Sequence, residues 1–344
     1  MYLICYGTRP EIIKLFPLIK NFNENNIKFL TLFSGQHKDL YQNFKNFIPK
    51  PDFILEDIME HNQTLNQLSS KLLNKIDKIF YDNIKYVIVQ GDTTTAFTIS
   101  LAAFHKKIKI IHLEAGLRTH NKYSPFPEEV NRTLISRIAD IHLCPTLESK
   151  NNLLNEGIKE NVYIVGNTVV DSFKIISKNY SIPPKIEKII KNIKNNYLLV
   201  TLHRRENRGE KMKIMWKQLN NLSNNNNIIY ITHPSIKNFN EYLNNKIIIC
   251  EPVDYISMVF LILNSSGIIT DSGGLQEEAV CCNKKILVCR DTTERPETIS
   301  SKWGKLINTD IEKNINFLKN NNVNLNKNPY GNDVCNKILK ILKL

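Results

Sequence analysis

The chain has 344 residues, a formal net charge of +13 and 42% hydrophobic residues. This length and composition suit a globular protein of two ordinary domains and exclude a disordered or fibrous chain. The basic charge favours an anionic partner, but the surplus lysines lie in Asn- and Lys-rich stretches without interleaved aromatic residues, so we expect no nucleic-acid groove.

No segment of the sequence predicts export or membrane insertion. The first apolar strand runs directly into Gly7 and is too short for the core of a signal peptide. The longest apolar run, Tyr255–Ile269, is broken by polar residues and is shorter than the ~20 residues that cross a bilayer. The seven cysteines form no CxxC motif or Cys/His cluster. We therefore expect a cytoplasmic protein with reduced thiols, no membrane partner and no metal.

The first half alternates short apolar segments with amphipathic ones. The predicted strands are Met1–Tyr6, Phe29–Phe33, Tyr86–Gln90, Ile108–Leu113, Ile141–Pro145 and Val162–Val165. The predicted helices are Ile12–Asn25, Leu65–Tyr81 and Thr94–Lys106. Uninterrupted apolar strands that alternate with helices predict a parallel sheet covered on both faces. We assign residues 1–167 to this first Rossmann-like domain.

A second series of the same kind follows. Its predicted strands are Tyr197–Thr201, Ile228–Thr232, Lys246–Cys250, Gly267–Thr270 and Lys285–Cys289, with helices near 210–223, 235–244, 254–265 and 273–282. Residues 168–328 form the second domain, and Pro183 and Pro184 lie near its start. Residues 329–344 form a helix that packs back on the first domain. The fold class is α/β, with two doubly wound Rossmann-like domains that face each other across a cleft.

The first strand ends in a turn suited to an anion. Gly7-Thr8-Arg9-Pro10-Glu11 joins it to a helix, and Pro10 suits the first helical turn. Free N–H groups and the Arg9 guanidinium can both contact an anion there. The alternative is an ordinary helix start with a surface arginine.

Carboxylates follow the next predicted strands. Asp92 lies in a strand–turn–helix segment, where it is either a helix cap or a reacting group. Glu114, Glu128 and Glu129 lie in an acidic, arginine-rich segment from His112 to Arg132. Loops on a rigid sheet often hold reacting groups, so we favour chemistry over a solvated, salt-bridged loop.

The second half offers a histidine and a phosphate-binding turn. His203 directly follows a strand and lies beside two arginines, so it can donate to a diphosphate or serve in acid–base catalysis. Ser272 can cap the helix that follows it, and Gly273 and Gly274 let the N–H groups of that helix approach a phosphate. Glu278 can bind ribose hydroxyls, and Arg295 adds a further phosphate ligand. The alternative is a plain capped helix.

With these motifs assembled, the chain resembles the non-hydrolysing bacterial UDP-N-acetylglucosamine 2-epimerase family. The matching motifs are GTRPEIIK (7–14), SGQH (34–37), GDTTT (91–95), HLEAGLRT (112–119), YSPFPEEVNR (123–132), VGNTVVDS (165–172), HRREN (203–207), DSGGLQEEA (271–279) and RDTTERPE (290–297). They span nearly the whole chain. The resemblance implies a glycosyltransferase-B-like fold, a homodimer, no cofactor, and interconversion of UDP-GlcNAc and UDP-ManNAc for surface polysaccharide biosynthesis.

The resemblance also implies roles for individual residues. The matches to the family's catalytic set are Asp92, Glu114, Glu128 and His203. The matches to its nucleotide-sugar contacts are Arg9, Lys14, Ser272, Gly273, Gly274, Glu278 and Arg295, with Arg132 supporting the carboxylates. The implied reaction is anti elimination of UDP to a 2-acetamidoglucal and its re-addition. The sequence does not tell which carboxylate acts in which step.

A second, activating UDP-GlcNAc site of the family is only partly matched. Gln36, Glu128, Arg204 and His233 fit its pattern, whereas Asp39 stands in place of Gln and Asn62 in place of Arg. Loss of an arginine removes a bidentate diphosphate ligand, so we expect weak activation or a modified UDP-hexosamine as substrate. A glycosyltransferase of the same fold, a hydrolysing epimerase and a binding module are the competing functions.

Overall fold

The computed structural model describes residues 1–36, 44, 45, 47–80, 83–193, 196–236, 238–319 and 328–344. The chain forms two compact units. The first comprises Met1–Ser172 together with Tyr330–Leu344, and the second comprises Phe173–Pro329. The sequence placed these divisions at residues 167 and 328.

The first unit is built on a seven-stranded parallel sheet. Its strands are β1 (Tyr2–Tyr6), β2 (Phe29–Phe33), β3 (Phe53–Ile54), β4 (Tyr86–Gln90), β5 (Lys109–Leu113), β6 (Ile141–Cys144) and β7 (Val162–Ile164), in the spatial order β3-β2-β1-β4-β5-β6-β7. Its helices are α1 (Arg9–Glu24), α2 (Leu65–Ile76), α3 (Thr94–His105), α4 (Glu128–Ile138), α5 (Leu147–Asn155) and the start of α6 (Val169–Asn179). Strand order reverses between β1 and β4, the kind of point at which open α/β sheets bind ligands.

The second unit repeats this plan with a six-stranded parallel sheet. Its strands are β8 (Tyr197–Thr201), β9 (Asn227–Ile231), β10 (Ile247–Cys250), β11 (Gly267–Thr270), β12 (Ile286–Val288) and β13 (Gly304–Leu306), in the order β10-β9-β8-β11-β12-β13. Its further helices are α7 (Pro184–Asn192), α8 (Glu210–Leu222), α9 (Phe239–Tyr242), α10 (Tyr255–Asn264), α11 (Gly273–Cys281), α12 (Pro296–Ser300) and α13 (Ile311–Lys319). Here the strand order reverses between β8 and β11.

Both sheets are covered by helices, as the apolar strands require. Leu3, Ile88 and Ile111 in the first sheet and Leu199 and Ile269 in the second have no exposed surface. A parallel sheet with both faces buried needs such near-continuous apolar strands. The predicted α/β fold class with two parallel-sheet units is confirmed.

All eleven predicted strands are present, with ends that differ by at most one residue. The structure adds the short strands β3 and β13. The division between the units, at residues 172 and 173, lies within the junction predicted at 167–181, but the sequence did not predict that helix α6 (Val169–Asn179) crosses it. The helix predicted near 235–244 is shorter, with α9 limited to Phe239–Tyr242. Tyr81, the predicted end of α2, lies outside the described residues.

The terminal helix α14 (Val334–Leu342) belongs to the first unit. The Cys335 backbone N–H donates to Asp171 Oδ2 at 2.7 Å, and the Asn167 N–H donates to the Tyr330 carbonyl at 2.9 Å. All seven cysteines are free thiols. Within the described residues, no helix has the length and apolar character needed to cross a membrane.

Candidate active site

A buried carboxylate joins the turns after β1 and β4. Glu11 accepts hydrogen bonds from the Gly7 and Thr8 backbone N–H groups at 2.9 and 2.6 Å and from Thr93 Oγ1 at 2.7 Å. Burial raises the pKa of Glu11, although these hydrogen bonds oppose the rise. Glu11 was not predicted as a site residue. The Thr8-x-x-Glu11 spacing is that of a capping box, which is the signal that identifies it.

Glu114 lies directly after β5 and is almost fully buried. Its carboxylate forms an ion pair with Lys14 and accepts hydrogen bonds from Gln90 Nε2 at 3.0 Å and Asn167 Nδ2 at 3.4 Å. The backbone φ of Glu114 is +66°, in the left-handed region that non-glycine residues rarely adopt. Such a conformation persists only where its surroundings hold it, and it often accompanies a functional site.

Asp92 lies after β4, the neighbour of β5. Arg132 binds its carboxylate through Nε at 3.0 Å and also through Nη2, and Asn131 Nδ2 donates to the Asp92 carbonyl at 2.9 Å. The alternative that Asp92 caps the helix was wrong, since Thr93 is the cap and accepts from the Ala96 N–H at 3.0 Å. The Asp92 carboxylate is therefore held by a cation and is not used to start α3.

The two glutamates at the start of α4 differ in their surroundings. Glu129 Oε1 accepts from the Thr119 and His120 N–H groups at 2.9 Å each, and its Oε2 accepts from Arg132 at 2.8 Å. Glu128 is half-buried, and its Oε2 is buried with no hydrogen-bond partner among the residues described. Glu129 thus holds the loop and Arg132 in place, while Glu128 keeps one carboxylate oxygen whose hydrogen-bonding capacity is not used within the described part of the chain.

The first unit therefore brings several predicted site residues to one edge of its sheet. Asp92 and Glu114 end the neighbouring strands β4 and β5, and each has a cation beside it. Arg9 is the first residue of α1, at the end of β1, and is half-buried.

In the second unit, the fully buried Asp271 accepts hydrogen bonds from residues that follow β8. Asp271 follows β11, which pairs with β8. Its carboxylate accepts from the His203 N–H at 3.0 Å, the Arg204 N–H at 2.9 Å and Asn207 Nδ2 at 2.9 Å. Burial lowers the pKa of His203, and the Asp271 charge opposes that effect. Asp271 belongs to one of the matching motifs but was not predicted as a site residue.

The predicted phosphate turn begins α11. Ser272 is the residue before the helix, but the prediction that its side chain caps the helix was wrong, because no capping hydrogen bond forms. A Cβ on Gly273 would lie 2.6 Å from Glu294 Oε1, whereas one on Gly274 would meet nothing within 4 Å. Gly273 is therefore required by close packing, and Gly274 leaves open space over the helix N-terminus. Glu278 is buried within α11.

Arg295 lies in a buried network of charges. Its guanidinium contacts Glu277 Oε1 at 3.0 Å and Glu294 Oε1 at 2.6 Å, and Glu294 also pairs with Arg290 at 2.6 Å. Although burial raises the pKa of Glu294, Arg295 and Arg290 together hold it well below its usual range. The predicted phosphate ligand is thus fixed next to Gly273 by carboxylates.

The residues predicted for an activating site lie in both units. Gln36 Oε1 accepts from Thr95 Oγ1 at 2.8 Å. His233 stacks on His203 with ring centroids 4.8 Å apart, and Arg204 Nη2 lies 3.8 Å from Glu294. Asn62 has a φ of +56° in the loop before α2. Asp39 lies outside the described residues.

Comparison with known proteins decides the family. The family model described as UDP-N-acetylglucosamine 2-epimerase matches residues 20–343. The chain belongs to the UDP-N-acetylglucosamine 2-epimerase family. Among its relatives, UDP-N-acetylglucosamine 2-epimerase of Salmonella borreze is 40% identical over 91% of this chain and 87% of its own. The enzyme of that name from Campylobacter jejuni is 40% identical over 99% and 96% of the two chains.

The fold agrees with a solved member of the family. The Neisseria meningitidis UDP-GlcNAc 2-epimerase, crystallised with UDP-GlcNAc bound, matches with a TM-score of 0.88 and 35% identity over 100% of both chains. The resemblance seen in the sequence is thereby confirmed, and so is the glycosyltransferase-B-like fold. As a member of the epimerase family, the chain is an enzyme of the isomerase class.

Proposed function

We propose that the protein interconverts UDP-GlcNAc and UDP-ManNAc by reversible 2-epimerisation without hydrolysis. The observation that carries this proposal is the arrangement of Asp92 and Glu114 at the ends of neighbouring strands, each held by a basic side chain. Two carboxyl groups at one sheet edge suit proton removal and proton return at a sugar carbon. The UDP-GlcNAc bound to the Neisseria relative supports the choice of substrate.

The chemistry needs an indirect route. The C2 proton of a UDP-hexosamine is not next to a carbonyl, so its direct removal is very costly. We propose that a carboxylate takes this proton while the C1–O bond breaks and its electron pair leaves with UDP. The product is a 2-acetamidoglucal with a C1–C2 double bond. Return of UDP to C1 and of a proton to the other face of C2 completes the epimerisation.

Proton transfer on two faces of the sugar requires at least two groups. Asp92, Glu114 and Glu128 are the candidates, with no individual step assigned. Lys14 and Arg132 keep a positive charge beside two of them, and the buried Oε2 of Glu128 has no hydrogen-bond partner within the described part of the chain. These surroundings suit groups that must exchange protons with a substrate.

Departure of UDP requires stabilisation of negative charge on the diphosphate. We propose that the N-terminus of α11, from Ser272 to Gly274, supplies N–H groups for this purpose. His203, Arg9 and Arg295 supply positive charge or hydrogen bonds, and Glu278 binds the ribose hydroxyls. The open space over Gly274 supports close approach of a phosphate.

The cellular role is proposed from the same reaction. UDP-ManNAc is a precursor for surface polysaccharide, and we propose that the enzyme works in the cytoplasm, where nucleotide sugars are made. We also propose a homodimer. Light scattering after size exclusion should then give about 80 kDa, twice the chain mass of 39.9 kDa.

The test is incubation with UDP-GlcNAc in D2O, followed by NMR at C1 and C2. Epimerisation predicts UDP-ManNAc with deuterium at C2. Free ManNAc and UDP would instead indicate a hydrolysing enzyme, and no turnover without an acceptor would favour a glycosyltransferase. Slow turnover of UDP-GlcNAc, with faster turnover of a modified UDP-hexosamine, would favour that substrate.

A further inference from the structure

Asp271 contacts His203 in a way that fixes the orientation of the histidine. His203 and Asp271 follow two strands that pair with each other, since Thr201 of β8 lies opposite Thr270 of β11. The Asp271 carboxylate has no exposed surface and receives the His203 N–H on both oxygens at 3.0 Å. His203 Nδ1 lies 3.4 Å from Asp271 Oδ1. The carboxylate thus binds the His203 backbone N–H and also lies beside the Nδ1 edge of its ring.

This contact determines which nitrogen of His203 can serve a substrate. An ionised carboxylate only accepts hydrogen bonds, so the ring nitrogen next to Asp271 is the one that carries a hydrogen in either charge state. The Nε2 atom is then the one that gains and loses a proton. Since 29% of the His203 side chain is exposed, part of it is accessible to a ligand.

The ring of His233 stacks on that of His203. Its plane lies at 20° to that of His203, with centroids 4.8 Å apart. The Ser235 N–H donates to His233 Nδ1 at 3.1 Å, and Ser235 Oγ lies 2.8 Å from the same atom. A backbone N–H can only donate, so this nitrogen must accept and His233 carries its proton on Nε2.

We propose that Asp271 is a positioning residue that directs Nε2 of His203 toward the departing diphosphate. This inference rests on the proposed epimerisation. As the C1–O bond breaks, the Nε2 proton passes to a diphosphate oxygen and leaves His203 neutral. When UDP returns to C1, the same proton returns to Nε2. The C2 proton is exchanged separately by the carboxylates of the first unit.

The charges around His203 agree with this assignment. Within the described part of the second unit, the groups that act on its ring are Asp271, His233 and Arg204. Burial lowers the pKa of His203, and Asp271 is the group that raises it. Loss of the Asp271 charge should therefore make the protonated ring harder to form.

The first test compares Asp271→Asn with the control Asn207→Ala. The asparagine variant keeps the shape but removes the charge, so we expect kcat to fall about 100-fold. The loss of activity at high pH should move to lower pH, because His203 loses its proton more readily. Asn207→Ala removes one hydrogen bond from Asp271 and keeps its charge, so it should lower stability without moving the pH profile.

The outcomes separate this inference from the proposed function. If the wild type incorporates no deuterium at C2, the proposed function fails. If the wild type does so and Asp271→Asn keeps its kcat and pH profile, only the role of Asp271 fails. Equal effects of the two variants on kcat and the pH profile would show that Asp271 is merely structural.

A second measurement on the wild type covers the case in which Asp271→Asn does not fold. Long-range 1H–15N NMR of the imidazole rings, assigned with His203→Asn and His233→Asn, reports which nitrogen carries each proton. We expect His233 to be protonated on Nε2 and neutral His203 on Nδ1. Neutral His203 protonated on Nε2 would overturn the proposal.

Discussion

The Lys14–Glu114 ion pair provides a quantitative test of the first unit. Both side chains are 7% exposed, and Gln90 and Asn167 add hydrogen bonds to the carboxylate. Lys14→Met removes the cation and leaves a buried charge, which costs about 3–5 kcal/mol. Because the two amides remain, we expect the lower end of that range, about 3 kcal/mol.

Removal of both charges should restore much of the stability. Replacement of a whole buried ion pair is often near neutral, so Lys14→Met with Glu114→Gln should lie within about 1 kcal/mol of the wild type. In a unit of this size, each kcal/mol shifts the midpoint by about 2–4 °C, so Lys14→Met should lose about 6–12 °C. The double variant should be folded and inactive if Glu114 transfers protons.

The two tryptophans allow the units to be followed separately. Trp216 and Trp303 are the only tryptophans in the sequence, and both lie in the second unit. Thermal unfolding by far-UV circular dichroism reports on the whole chain, whereas tryptophan fluorescence reports on that unit alone. The exposed pair Lys20–Glu24 supplies the control, because Lys20→Met should cause no measurable shift. Equal losses in Lys14→Met and the double variant would refute the reasoning.

Three further predictions concern the turns and the buried histidines. Gly274→Ala should raise KM for UDP-GlcNAc about tenfold and leave the melting temperature unchanged. Gly273→Ala should lower both affinity and stability, because its Cβ would lie 2.6 Å from a carboxylate oxygen. Equal losses of stability in the two variants would contradict this. Burial lowers the pKa of His112 to about 3 and that of His142 to about 4, so both are neutral when folded and gain a proton on unfolding below pH ~6.5. Their contribution to stability is thus present above pH ~6.5 and is lost as pH falls, by about 2 kcal/mol for each histidine at pH 5. His142→Asn should therefore reduce the drop in melting temperature between pH 7 and pH 5. A drop as steep as that of the wild type would refute the assignment. Glu129→Gln should lower kcat about 10- to 100-fold, because the Thr119 backbone N–H and Arg132 lose the charged carboxylate that they contact. An unchanged kcat would limit Glu129 to a role in folding.

Most of the fold could be predicted because buried parallel strands are continuous apolar runs. Strand β3 has only two residues, and β13 (Gly304–Leu306) has an exposed lysine at its centre, so neither shows a continuous apolar run. Helix α6 was missed because the sequence offered a plausible junction before Pro183, and the helix continues across the division between the units. A local pattern does not report where one compact unit ends.

The site residues that could be predicted are those whose position after a strand is visible in the neighbouring sequence. Asp92 and Glu114 were recognised because each follows an apolar strand. The left-handed backbone of Glu114 and the Asp271–His203 contact could not be predicted, because both depend on segments that meet only after folding. Asp271 is separated by 68 positions from His203 in the chain, and the β8–β11 pairing brings the two together.

The central claim is that the C1–O bond breaks and re-forms during epimerisation. The direct measurement uses UDP-GlcNAc with 18O in the oxygen that bridges C1 and the β-phosphorus, followed by 31P NMR. Elimination and re-addition predict that the label moves into the non-bridging β-phosphate positions while the substrate epimerises. Formation of UDP-ManNAc with the label still fully in the bridge would contradict this account.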